Sequence, residues 1–520
     1  MDREARSPER SAGRQLAPAD SPLPTPDSRL PTPDPVRRIA RNTAIPIAAQ
    51  LLNKVVDFGF ALVVLRALGA AGAGQYEYAV LVWLYTKTFS DFGLAVLTTR
   101  DVAQRRELAG RYLGLTTLLR LALLLAALPA VLGFTFAGWR WLGLSGATAL
   151  AIAFLLASIV PDAYSDAANA ICNAYERMAG PALLTVVKNA IKVGVALGLL
   201  AAGWGVVGLA VTALVTNALT AGLFAALVRR LGVRADWRPD RAAARRLLAE
   251  SWPLLLNNLL VGLFFRIDVF ILQPARGDRE VGVYAAPYKY LNLLLLVPSY
   301  FTLALFPHLS RLAAARDGAL AGTYALAMKL LLIIALPITV ATLVVAPELM
   351  YALGGPGFLP DSGTALRLLI WFLPLSYANG LAQYVLIAAG QQRLITRAFA
   401  LTTSFNVAAN LLLTPRYGYA AAALITVASE VVLLVPFLRY LRRHVGRLPA
   451  RGTLLRPLAA AAAMGATSWA VYRGLAGWPL VAPWAAVAIG GLVYLAALLA
   501  TRGIGASERR LALRLLGRAA

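Results

Sequence analysis

Between residues 44 and 501 the sequence is built almost wholly from apolar stretches of about twenty residues, cut by short polar connectors. Such a chain has few ways to fold. In hydrocarbon each backbone N–H and C=O must be satisfied without water, so each stretch is expected to be an α-helix crossing a bilayer. The stretches fall at 44–65, 78–99, 112–136, 146–171, 180–201, 206–228, 252–274, 287–307, 326–346, 365–388, 396–414, 418–440, 454–473 and 479–501. The fold class that follows is an all-α polytopic membrane protein with about fourteen transmembrane helices. Composition agrees: 59% of the chain is hydrophobic and 14% charged, against about 45–50% and about 25% in soluble proteins.

The connectors test this division. With the N-terminal segment inside and the connectors alternating, thirty-five of the fifty Lys and Arg fall in or beside inside segments. Six fall outside: Arg66, Arg140, Arg276, Arg279, Arg416 and Arg473. This positive-inside bias accounts for the net charge of +25 without nucleic acid as a partner. It places the chain in the cytoplasmic membrane with both termini cytoplasmic. The one cysteine, Cys172, excludes an intrachain disulfide, and His308 and His444 stand far apart. No metal site and no cofactor is expected. Residues 1–40, rich in Pro, Ser and charge and repeating LPTPD at 23–27 and 30–34, are expected to form a disordered cytoplasmic tail. Residues 502–520 form a basic cytoplasmic tail.

The chain also repeats itself. Gly74-Gln75-Tyr76 recurs as Gly282-Val283-Tyr284 at offset 208, LAVLTTR ending at Arg100 matches LFPHLSR ending at Arg311 at offset 211, and Arg229-Arg230 matches Arg442-Arg443 at offset 213. These offsets predict two six-helix lobes in parallel orientation, 41–230 and 251–443, joined by a basic linker at 231–250 and followed by two further helices within 454–501. Duplicated halves with a substrate path between them are typical of secondary transporters.

The fourteen spans in two lobes, the pattern Leu68-Gly69 then Gly74-Gln75-Tyr76, and FPHLSR at 306–311 resemble the polysaccharide-biosynthesis flippases. That family is similar in fold to the multidrug and toxin extrusion exporters and the lipid II flippases. The resemblance implies movement of a polyprenyl-pyrophosphate-linked oligosaccharide across the membrane by alternating access, with glycan polymerase or assembly proteins as further partners. It also implies a cavity lined by the first two helices of each lobe.

Charges within spans fall on those helices. An ionised side chain at the bilayer centre costs at least ~2.5–3.5 kcal/mol and therefore faces a lumen or a partner. The first span carries Asn53, Lys54 and Asp57 on one face, the second Lys87 and Asp91, the seventh Asn257, Asn258, Arg266 and Asp268, and the eighth Lys289. Asn53, Lys54, Asp57, Lys87, Asp91, Asn257, Arg266, Asp268 and Lys289 are the candidate substrate-binding residues, the cations facing pyrophosphate. The competing reading is pairing within a helix, Lys54 with Asp57 and Lys87 with Asp91. Asp162 and Asp166 opposite Lys188 and Lys192 form either a salt ladder or a site for ion or proton coupling. Glu430 is either a hydrogen-bonded structural residue or a proton carrier. Arg120 is expected to snorkel to the inner interface. Arg100, Asp101 and Arg311 at matching inner edges are candidate gate residues or interfacial anchors. Pro161, Pro253, Pro298, Pro337 and Pro374 are candidate helix kinks.

The sequence carries no GxxxxGK[ST] or HExxH motif and no outer connector long enough for a catalytic domain, so it is not expected to be an enzyme. The leading expectation is a lipid-linked oligosaccharide flippase for cell-surface polysaccharide biosynthesis. The alternative is an ion-coupled organic-cation exporter, which needs an acidic cavity.

Overall fold

The computed structural model of the protein describes residues 35–141, 143–315, 318–446, 451–501 and 503. The expected tails lie outside the described residues, apart from 35–40 and 503. The chain forms α1 (Pro35–Asp91), α2 (Leu94–Gln104), α3 (Ala109–Trp141), α4 (Gly146–Ala174), α5 (Ala179–Ala201), α6 (Gly205–Arg230) and α7 (Arg241–Arg276). It continues through α8 (Asp278–Leu294), α9 (Leu296–Ala315), α10 (Ala319–Gly354), α11 (Asp361–Leu369), α12 (Phe372–Ala388) and α13 (Gln392–His444) to α14 (Arg456–Gly474) and α15 (Ala482–Ala500). No strand occurs among the described residues.

Among the described residues, eleven helical segments, some with short internal breaks, are long and apolar enough to cross a membrane. Two of them, in α1 and α13, pass through a glycine outside the helical region, Gly69 and Gly418. Dividing them there and adding α14 is compatible with the fourteen spans read from the sequence. The protein is a multi-pass membrane protein.

The expected connector at 66–77 is absent. Helix runs to Leu68 and resumes at Ala70, because Gly69 alone makes the turn at φ 65° and ψ −176°. That backbone region is essentially confined to glycine. Gly277, 208 residues on, turns α7 into α8 with nearly the same angles, φ 83° and ψ 177°. Gly143 and Gly355, 212 apart, and Gly205 and Gly418, 213 apart, repeat the positive φ at the other turns of this face. The internal repeat is thus written in backbone geometry as well as sequence. The breaks at Leu295 and at Ile370–Trp371 lie just ahead of Pro298 and Pro374, whose missing N–H cannot continue the ladder. Helix runs unbroken through Pro161, Pro253 and Pro337.

Each half has its own core. Leu155, Ile159, Leu113 and Ile171 are buried in the first, and Leu331, Leu373, Leu381 and Phe437 in the second. Buried hydroxyls of Thr98, Thr116, Thr212, Thr339 and Thr402 donate to carbonyls four residues back, which satisfies them without water. The C-terminal pair packs on the second half, where Tyr494 Oη donates to the Ile333 carbonyl at 2.9 Å.

The halves meet at both ends. On the face opposite the basic loops, a Cβ on Gly74 would lie 1.8 Å from the Asp278 carbonyl oxygen, and one on Gly282 would lie 1.8 Å from that of Ala70. The repeated Gly-x-Tyr motif is therefore a reciprocal backbone seam between α1 and α8. Leu65 and Ala73 pack there against Val283, Met350 and Phe358, and Arg66 Nη2 donates to the Ala352 carbonyl at 2.7 Å. On the basic face, Gly93 abuts Ser251 and Leu254 of α7.

Candidate functional site

Between the seams lie two charged cavities. The first, of about 280 Å³, is lined by Lys54, Asp57, Tyr76 and Glu77 of α1, Lys192 of α5, and Lys289 and Asn292 of α8. Lys289 and Glu77 form an ion pair across the halves, and Arg266 Nη1 approaches the other Glu77 oxygen at 3.8 Å. Lys192 Nζ binds Asp57 at 2.6 Å. Lys54 is exposed and makes no ion pair among the described residues. Lys54, Lys192, Lys289 and Arg266 thus stand against two carboxylates, and Lys54, on the open rim, is the one of the four with no ion pair among the described residues.

The second cavity, also about 280 Å³, is lined by Lys87, Thr88, Asp91, Asp166, Asn169 and Asn258. Lys87 pairs with Asp162 and lies 3.4 Å from Asp166. Lys188 reaches Asp162 at 3.6 Å, and Arg120 holds Asp91 at 2.8 Å. Three cations meet three carboxylates, all within the first half. Asn258 is the polar lining residue contributed by the second half.

These contacts revise several expectations. Neither intrahelical pair forms: Asp57 turns to α5, and Lys87 and Asp91 find partners on α4 and α3. Arg120 does not snorkel. It is 1% exposed and spent on Asp91, because an isolated carboxylate at that depth is costlier than an ordered pair. Arg266 reaches Glu77 without lining either cavity, and Asp268 does not accompany it. Two residues along a helix turn a side chain by roughly 200°, and Asp268 is buried in the second half, accepting from Tyr284 Oη and from the Val269 N–H at 2.8 Å. Asn53 is buried and lines neither cavity, and Asn257 is exposed beside the lining Asn258. Glu430 is buried and accepts from Asn379 Nδ2 at 2.6 Å at the wall of a smaller cavity of about 260 Å³.

At the basic face Arg100 binds Glu250 of α7 at 2.6 Å and Asp101 at 2.8 Å. Arg246 binds Asp101 at 2.9 Å, and Tyr112 Oη donates to the same carboxylate at 2.7 Å. Arg100 and Asp101 thus bridge the first half to the start of α7. Arg311 stands apart, exposed and without an ion pair among the described residues.

Glu77, Arg246 and Glu250 were missed in the sequence. Glu77 falls in the stretch expected to be a connector, although it directly follows Gly74-Gln75-Tyr76. Arg246 and Glu250 fall in the linker, where an i,i+4 pair looks like ordinary helix-surface charge.

The family model described as "Polysaccharide biosynthesis protein" matches residues 39–313, and that described as "MatE" matches 253–412. No curated protein matches the chain. Among solved structures, lipid II flippase MurJ in an inward closed conformation is similar at 13% identity and TM-score 0.72, covering 88% of this chain and 99% of its own. An inward-facing multidrug resistance MATE family transporter is similar at 20% identity and TM-score 0.59, covering 78% and 98%. A MOP superfamily transporter from Pyrococcus furiosus is similar at 17% identity and TM-score 0.54, covering 80% and 95%.

Proposed function

The chain belongs to the polysaccharide biosynthesis protein family, and we propose that it is a flippase for a polyprenyl-pyrophosphate-linked oligosaccharide, working by alternating access in the cytoplasmic membrane. The observation that carries this reading is the first cavity, where a partly buried ion pair joins the halves and an unpaired lysine stands at the rim. A pyrophosphate supplies the anion that such a site lacks. Lys54 makes the first contact from the open side. The phosphate oxygens then compete with Glu77 for Lys289 and Arg266, Lys as a point charge and Arg as a fork. Losing Glu77 from that pair loosens the tie between α1 and α8, so ligand entry and separation of the halves become one event. Tyr76 and Asn292 face the same cavity and suit the sugar hydroxyls. The prenyl tail stays in lipid.

Arg100 and Asp101 serve as the cytoplasmic gate. Their partners on α7, Arg246 and Glu250, are exposed, and exposed pairs contribute about 0–1 kcal/mol, so the gate opens at little cost. Arg311 lies outside this network and is assigned no gating contact.

The test is flipping of a fluorescent polyprenyl-pyrophosphate oligosaccharide in proteoliposomes. Wild type should move it, and Lys54→Ala and Lys289→Ala should not, at equal protein per vesicle. Unchanged flipping by both variants would remove the first cavity from the mechanism. A second reading, an ion-coupled organic-cation exporter, is favoured by the MatE match and by the carboxylates Asp91 and Asp166 in the second cavity. It predicts cation extrusion that Asp166→Asn abolishes and Lys54→Ala leaves intact. Under that reading Asp162, Asp166 and Glu430 are the coupling candidates.

A further inference from the structure

A third space, of about 630 Å³, lies on the flank of the second half between α10, α11 with the break that follows it, and α14. It shares no lining residue with either charged cavity. Its long wall is apolar, built from Leu336, Val340 and Leu343 of α10 and Leu458, Ala461 and Gly465 of α14. Its end toward the face opposite the basic loops is different. There Arg367 and Arg473 stand together with Trp371, Trp469 and Tyr472. The Arg473 guanidinium lies 4.2 Å over the Trp469 ring, and Arg367 Nε donates to the Leu343 carbonyl at 3.1 Å. Neither arginine makes an ion pair among the described residues.

Trp and Tyr gather at the depth of lipid headgroups. Two uncompensated guanidiniums at that depth match a phosphate, and the groove below them matches a hydrocarbon chain. The volume falls in the roughly 300–1,000 Å³ range of bound small molecules. The walls do not move when the halves move, because α10, α11 and α14 all belong to the second half and its appended pair. We propose that this groove holds one resident anionic diacyl phospholipid, its phosphate between Arg367 and Arg473 and an acyl chain along α10 and α14. The occupant is structural lipid rather than transported cargo, since the groove opens onto neither charged cavity.

Native mass spectrometry of the full chain tests this, after release from nanodiscs of dioleoylphosphatidylglycerol diluted in dioleoylphosphatidylcholine. Wild type should retain phosphatidylglycerol about tenfold above its share of the bilayer. Arg367→Gln with Arg473→Gln should remove the enrichment. Gly465→Leu should lower retention too, by filling the groove while both arginines remain; the Cβ itself fits, 3.7 Å from Val340. Should the arginine pair fail to fold, the Gly465→Leu result decides. Equal retention of the two lipids would overturn the proposal. So would unchanged retention in Gly465→Leu, which marks mere headgroup adsorption, or recovery of a polyprenyl phosphate in place of the diacyl lipid.

Discussion

The two charged cavities use the same residue types to opposite ends. Around Lys87, three cations and three carboxylates close on themselves within the first half. Around Glu77, the partners come from both halves and one lysine is left over. A balanced cluster inside one rigid body gains nothing from a relative motion of the halves. An unbalanced one that spans the interface must break when they part. Charge within a membrane segment is therefore not a functional signature by itself. What distinguishes the two cavities is which bodies hold the partners, and whether the charges cancel.

Four substitutions would break or sharpen this contrast. The largest effect is expected from Gly282→Val. Its added Cβ would meet the Ala70 carbonyl oxygen, so the seam opposite the basic loops cannot close. Transport should be lost, and a cysteine at Gln75 should become reactive to an impermeant thiol reagent from that face. Next is Arg120→Ala, which leaves Asp91 without its partner and should destabilise the fold by about 3 kcal/mol. A fall in thermal midpoint should accompany it, while the affinity for substrate in the folded fraction stays the same. If instead affinity collapses and stability holds, the balanced cluster is the binding site and the contrast is reversed. Lys289→Ala should do the converse, lowering substrate affinity at least about tenfold, or about 1.4 kcal/mol, with the halves still assembled. The smallest effect belongs to Glu250→Gln. The pair with Arg100 is exposed, so stability should change by less than about 1 kcal/mol, measured by thermal unfolding. Accessibility from the basic face should rise.

The fold class, the repeat and the polar faces were legible in the sequence because each depends on local periodicity. Hydrocarbon tolerates only long apolar helices, and duplicated segments keep their spacing. Lys54, Lys87 and Lys289 stood out for the same reason, as charges in apolar helices. The readings that failed were those needing a partner from elsewhere. Glu77 looked like a loop residue because one glycine turn was taken for a connector. Asp268 looked like a companion of Arg266 although the helix points the two apart. The competing reading, Asp57 paired with Lys54 and Asp91 with Lys87, rested on spacing, which is all that a sequence displays.

By itself, then, the sequence determined that this chain crosses a membrane many times, that it is internally duplicated, and that its intramembrane charges must be satisfied. Only the tertiary structure decided which carboxylate satisfies which cation. A helix fixes its own faces, but the neighbour each face meets is chosen by packing between segments more than a hundred residues apart, as with Asp57 and Lys192 or Glu77 and Lys289.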